Sequence, residues 1–77
     1  MVNGYKEGIV QDLWTKKRPM SFNELSYDIA HTEIDRFRTK LNELIRDGYV
    51  YKRDGKYGLT RKAIDGIIEN GSDQDER

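Results

Sequence analysis

TEIDRFRTKLNELIRDGYVYKRDGKYGLT occupies residues 32–60, and the rest of the chain reads outward from it. Ile34, Phe37, Leu41, Leu44 and Ile45 recur at helical spacing and mark one buried stripe, which predicts an amphipathic helix to about Asp47. Gly48 stops it. Two β-rich runs follow, Tyr49–Arg53 and Lys56–Leu59, separated by Asp54-Gly55. That dipeptide predicts a two-residue hairpin turn, because both of its residues must take positive φ. The turn sets the register: Arg53 opposite Lys56, Lys52 opposite Tyr57, Tyr51 opposite Gly58 and Val50 opposite Leu59. Val50, Tyr57 and Leu59 then share a face that packs on the helices. Lys52, Arg53 and Lys56 make the tip basic.

Upstream, Asn3 is placed to cap a first helix over about residues 4–16. Tyr5, Ile9 and Leu13 form one apolar line on it, and Val10 and Trp14 form a second. One edge of this wide stripe faces the core. The other is free for the last helix or a partner chain. Lys16-Lys17-Arg18 suits a helix C-terminus, where the macrodipole favours cations, and Pro19 disfavours helical geometry at Arg18. Ser21-Phe22-Asn23-Glu24 has the form of a capping box and predicts a short second helix over about residues 22–30, with Phe22, Leu25 and Ile29 inward. Met20 precedes it as a hydrophobic staple or a short extended segment. Ala30-His31 makes a turn, and Thr32 is placed to cap the third helix.

Downstream, Thr60 is placed to cap a fourth helix from about Arg61 to Glu69, with Ile64, Ile67 and Ile68 as its apolar stripe. Gly66 costs that helix about 1 kcal/mol relative to Ala, so packing must hold it. No apolar residue follows Ile68. The expected organisation is one domain over residues 1–69 and a disordered acidic tail over residues 70–77.

The chain has 77 residues, a hydrophobic fraction of 35% and a charged fraction of 36%. That supports one thin core. Cysteine is absent, so neither disulfides nor a thiolate zinc site can brace it. Dimerisation would help so small a domain. No apolar run approaches a membrane span and the N-terminus lacks the apolar core of a signal peptide, so a cytoplasmic protein is expected. The net charge is zero but unevenly spread. Residues 69–77 carry four acids against one arginine, net −3, which leaves residues 1–68 with 13 basic and 10 acidic side chains, net +3.

A short helix, a tight turn and a longer helix form a helix-turn-helix, and the full order of helix, helix, helix, hairpin, helix resembles a winged helix-turn-helix domain. The residues that carry the resemblance are Ser21-Phe22-Asn23-Glu24-Leu25, Thr32, and Leu41-Asn42-Glu43-Leu44-Ile45-Arg46-Asp47-Gly48-Tyr49-Val50. The last run is similar to the phrase closing the recognition helix of bacterial and archaeal transcription regulators. Gly55-Lys56-Tyr57-Gly58-Leu59-Thr60 resembles the phrase that leaves the wing. The resemblance spans residues 5–68 and implies an α+β, mostly α, fold: a three-helix bundle, a hairpin wing and a C-terminal helix.

It also implies double-stranded DNA as partner, with the third helix in the major groove. Opposite the apolar stripe lie Thr32, Asp35, Arg36, Thr39, Glu43 and Arg46, with Lys40 at the edge. Arg36 suits guanine N7 and O6, Thr39 a thymine methyl or a base edge, and Lys40 a phosphate. Asp35 can accept from cytosine N4, or simply place negative charge at a helix N-terminus, as Glu33 does. Arg38, near the stripe, can cover it with its stem. In the resembling family wing tips meet the backbone or the minor groove, which assigns Lys52, Arg53 and Lys56. Basic residues on a hairpin edge also discourage aggregation. Val10 and Trp14 are the candidate homodimer contacts.

Winged helices also serve as protein-binding modules, and Glu33, Asp35, Glu43 and the acidic tail leave that alternative open. An enzyme is not expected. There is one histidine, His31, with no companion ligands, and no Gly-rich phosphate loop, so no catalytic group, cofactor or metal is assigned.

Overall fold

A computed structural model describes residues 4–75, with side chains described to Ile68. The described residues form four α-helices and a three-stranded antiparallel sheet, an α+β fold that is mostly helical. The order is α1 (Tyr5–Lys16), β1 (Met20–Ser21), α2 (Phe22–Leu25), a 3₁₀ turn (His31–Glu33), α3 (Ile34–Arg46), β2 (Val50–Arg53), β3 (Lys56–Leu59) and α4 (Arg61–Asp75). This order is compatible with a winged-helix topology.

The hairpin register matches the sequence expectation pair for pair, from Val50 opposite Leu59 to Arg53 opposite Lys56. Asp54 and Gly55 take φ of 54° and 77°, as a two-residue turn of this hand requires. β1 supplies a third strand. Met20 pairs with Tyr57 and Ser21 with Lys56, so β3 is central. Met20 is thus an extended, buried residue.

The core gathers Ile9, Leu13, Met20, Leu25, Phe37, Leu41, Leu44, Val50 and Tyr57. Leu41 is wholly inaccessible and lies on the predicted stripe of α3. Edge-to-face contacts from Tyr5 and Phe22 to Phe37, with centroids 5.7 and 5.8 Å apart, join α1 and α2 to that helix. Ile29, Ile45 and Leu59 pack against the core half-buried rather than filling it, and Ile34 is half-buried.

Several boundaries differ from expectation. Gly4 stands at the N-cap of α1 with φ 121°, and the cap expected at Asn3 lies outside the described residues. The Ser21 box forms as expected: its hydroxyl accepts from the Glu24 N–H at 3.2 Å, and the Glu24 carboxylate accepts from the Ser21 N–H at 3.0 Å. The helix it opens is only Phe22–Leu25, not 22–30. Ser26 donates its hydroxyl to the Phe22 carbonyl at 2.8 Å, and the Ile29 N–H bonds Ser26 O at 2.9 Å, so the chain turns there.

Thr32 does not cap α3. It lies inside the 3₁₀ turn, and Glu33 takes the N-cap without a side-chain bond. Thr60 does cap α4, accepting from the Ala63 N–H at 3.3 Å while donating to the Gly48 carbonyl at 2.6 Å. The buried residue of α4 is Ala63, whereas Ile68 is half exposed. α4 runs on to Asp75, past the expected end at Glu69 and across the first six residues of the expected tail. Residues 76 and 77 lie outside the described residues.

Candidate nucleic-acid interface

The inward stripe of α3 fixes what faces outward. With Phe37, Leu41 and Leu44 buried, helical geometry turns Asp35, Arg36, Thr39 and Arg46 to the surface. Thr32, in the preceding turn, is exposed beside them. The Thr39 hydroxyl donates back to the Asp35 carbonyl at 3.0 Å, which leaves its methyl and an oxygen lone pair outward.

The cations of α3 are engaged within the chain. Arg36 Nη1 lies 3.4 Å from Glu33 Oε1, and its side chain stays 69% exposed. That same Oε1 accepts the Tyr5 hydroxyl at 2.8 Å, a bond that raises the phenol's pKa. Lys40 Nζ lies 3.7 Å from Glu43 Oε1, and Lys6 of α1 approaches the same oxygen at 2.9 Å. The Lys6 bond, then the charge of Lys40, holds the Glu43 carboxyl below its ordinary value. Arg46 pairs with Asp47 at 3.5 Å.

On the hairpin the arrangement is different. Lys52, Arg53 and Lys56 are all exposed, and none has an ion-pair partner among the described residues. Lys52 Nζ sits 5.6 Å from the Tyr57 ring centroid. Arg53 and Lys56 oppose each other next to the turn. Glu24 feels Lys56 only weakly. Its carboxyl is lowered first by the Ser21 N–H and the Arg18 side-chain hydrogen bond.

Three further basic residues have structural duties. The Arg38 guanidinium lies 4.5 Å over the Phe22 ring, covering the apolar stripe as its position suggested. In the run after α1, Lys17 takes φ 60° and its ammonium sits 3.9 Å from the Trp14 ring, while Arg18 pairs with Glu24. Tyr51 lies directly on Gly58, where an added Cβ would come within about 2.5 Å of the ring.

Val10 and Trp14 are both half-buried. They line an open groove of about 680 Å³ between α1 and α4, with Leu44, Tyr49, Ala63 and Ile67.

Sequence reasoning missed Tyr5 and Lys6 as parts of the α3 surface. They reach residues 28 and 37 positions away, and no local pattern signals such a contact. It also missed Lys62, whose ammonium donates to the Asp47 carbonyl at 2.9 Å and sits 4.5 Å from the Tyr49 ring. Lys62 so satisfies one orphan carbonyl at the end of α3.

Among the described residues, no cluster of three or more His, Cys, Asp or Glu side chains is placed to hold a metal. No helix among them is long and apolar enough to cross a membrane. The chain matches no protein-family model, no curated protein and no solved structure.

Proposed function

We propose that this chain is a sequence-specific DNA-binding transcription regulator of the winged helix-turn-helix type, acting in the cytoplasm. α3 enters the major groove of double-stranded DNA and the hairpin serves as the wing on the backbone or minor groove. The observation that carries this reading is the exposed cation set Lys52, Arg53 and Lys56, without an acid partner among the described residues, following a helix whose outer face is polar. Phosphate contact dominates DNA affinity, and cations already neutralised by carboxylates contribute little to it. The wing therefore supplies the electrostatic anchor. Base reading falls to Thr32, Asp35, Arg36 and Thr39, with Lys40 toward a phosphate.

The molecule acts as a homodimer on a two-fold site through the Val10 and Trp14 edge, where the groove leaves apolar surface uncovered. A dimer mass by sedimentation at micromolar concentration is expected, and a monomer there contradicts this part. The proposal as a whole is tested by binding to genomic fragments across a salt series. Log affinity should fall with log salt at a slope of about −2.7 to −3.6 per subunit, the value for three or four phosphate contacts each. Absence of binding at low salt contradicts it.

One observation favours a second reading, a protein-interaction module: Arg36, Lys40 and Arg46 all have internal acidic partners. If Arg36→Ala and Lys56→Ala leave every measured interaction intact while Trp14→Ala abolishes one, that reading prevails.

A further inference from the structure

Two carboxylates, Glu33 at the N-cap of α3 and Glu43 within it, face the cations of that helix, and both are gripped from α1. Tyr5 is held at both ends, with its ring edge-to-face on Phe37 at 5.7 Å and its hydroxyl on Glu33 at 2.8 Å. Lys6 holds Glu43 at 2.9 Å. The two carboxylates in turn lie 3.4 Å from Arg36 and 3.7 Å from Lys40. An exposed pair of this kind contributes little to stability, because solvent screens it and two long side chains must be ordered. Its energetic effect falls instead on whatever else those cations could bind.

We infer that Glu33 and Glu43, positioned by Tyr5 and Lys6, compete with DNA phosphates for Arg36 and Lys40 and so set how sharply the protein distinguishes target from non-target DNA. This rests on the DNA-binding reading above. Phosphates are present on every duplex. A carboxylate that already neutralises a cation removes most of the gain from moving that cation to a phosphate. Glu33 comes nearest Arg36 at Nη1, 3.4 Å away, and the Arg36 side chain stays 69% exposed, so a guanidinium with five N–H donors still presents an edge outward. With Glu33 as a brace, that free edge still meets the two acceptors of a guanine, which only some sequences present. Non-target affinity is lowered and base reading is kept. Tyr5 and Lys6 are positioning residues in this scheme, since neither lies on the outer face of α3.

The test is the double variant Glu33→Gln, Glu43→Gln. Glutamine keeps the length and can still accept from Tyr5 and Lys6, so the fold is retained, as circular dichroism will check. Wild type and variant are titrated with a random-sequence duplex and with a duplex obtained by unbiased site selection, each across a salt series. The variant should bind random duplex roughly tenfold more tightly at low salt, with a slope steeper by about 0.9 for each freed cation. Target affinity should rise less, so the ratio of target to random affinity falls. Tyr5→Phe, which keeps the ring on Phe37 and removes only the hydroxyl, should lower the ratio in the same direction by less. Binding of random duplex by the variant alone, with none by wild type, supports the inference. An unchanged ratio and slope in a variant whose wild type binds DNA overturns this inference and leaves the DNA-binding reading standing. No binding by either protein at low salt overturns both.

Discussion

α3 and the β2–β3 hairpin sit side by side in the chain and carry similar numbers of cations, but they hold them differently. On α3, Arg36, Lys40 and Arg46 each stand within 4 Å of a carboxylate, and α1 adds two further side chains to that network. On the hairpin, Lys52, Arg53 and Lys56 project without an acid partner among the described residues. The difference follows from geometry. A helix places residues three and four apart on one face, so Arg36 meets Glu33 and Lys40 meets Glu43, while Arg46 pairs with its chain neighbour Asp47 at the helix end. A two-residue turn with Arg53 opposite Lys56 brings like charges together at the tip and leaves no position for an acid other than Asp54. The helix is therefore suited to selective contact and the hairpin to general attraction.

The largest effect that breaks this comparison comes from inside α3. Leu41→Ala removes the fully buried residue under the outer face and should cost about 2–5 kcal/mol, read as a shifted urea midpoint at unchanged slope. In so small a domain that is enough to lose the outer face as an ordered surface. The hairpin face depends on smaller contacts. Thr60→Ala removes both the α4 cap and the bond to Gly48, and should cost about 1–2 kcal/mol by the same measurement. Gly58→Ala forces the Tyr51 ring aside. A loss of about 1 kcal/mol is expected, largely absent when the change is made in a Tyr51→Ala background.

The hairpin was the most legible region in the sequence. Asp54-Gly55 admits one turn, the turn sets one register, and the alternation of Val50, Tyr57 and Leu59 sets the inner face. The stripe of α3 was legible for a similar reason, since Phe37, Leu41 and Leu44 are periodic. Short, non-periodic features were hidden. β1 is two residues paired with a strand some 36 positions away. The second helix ends early because Ser26 bonds back to the Phe22 carbonyl, a side-chain choice that apolar spacing does not report. In α4 the three isoleucines suggest the inner face, but Ala63 is the buried residue, while Ile64 and Ile67 are half-buried and Ile68 is half exposed. The candidate site was half legible. Its outward residues followed from the helical wheel. The grip of Tyr5 and Lys6 on Glu33 and Glu43 depended on how α1 crosses α3.

The smallest effect is a pH dependence. Glu24 and Glu43 are both held below their ordinary value of 4.5, so their contribution to stability is complete above that pH. It is lost as pH falls through their lower folded-state values. Thermal unfolding followed from pH 6 downward should show a small decline beginning below about 4.5, reduced in Glu43→Gln. A decline of equal size in that variant contradicts the assignment of Glu43 to it.

The contrast between helix and hairpin is tested most directly by the salt dependence of duplex binding in the triple variant Lys52→Ala, Arg53→Ala, Lys56→Ala. Loss of three phosphate contacts in each subunit should flatten the slope by about 2.7 per subunit on any sequence, while Arg36→Ala should leave the slope nearly unchanged and lower affinity only for the selected target. Equal slopes for wild type and the triple variant would contradict the account.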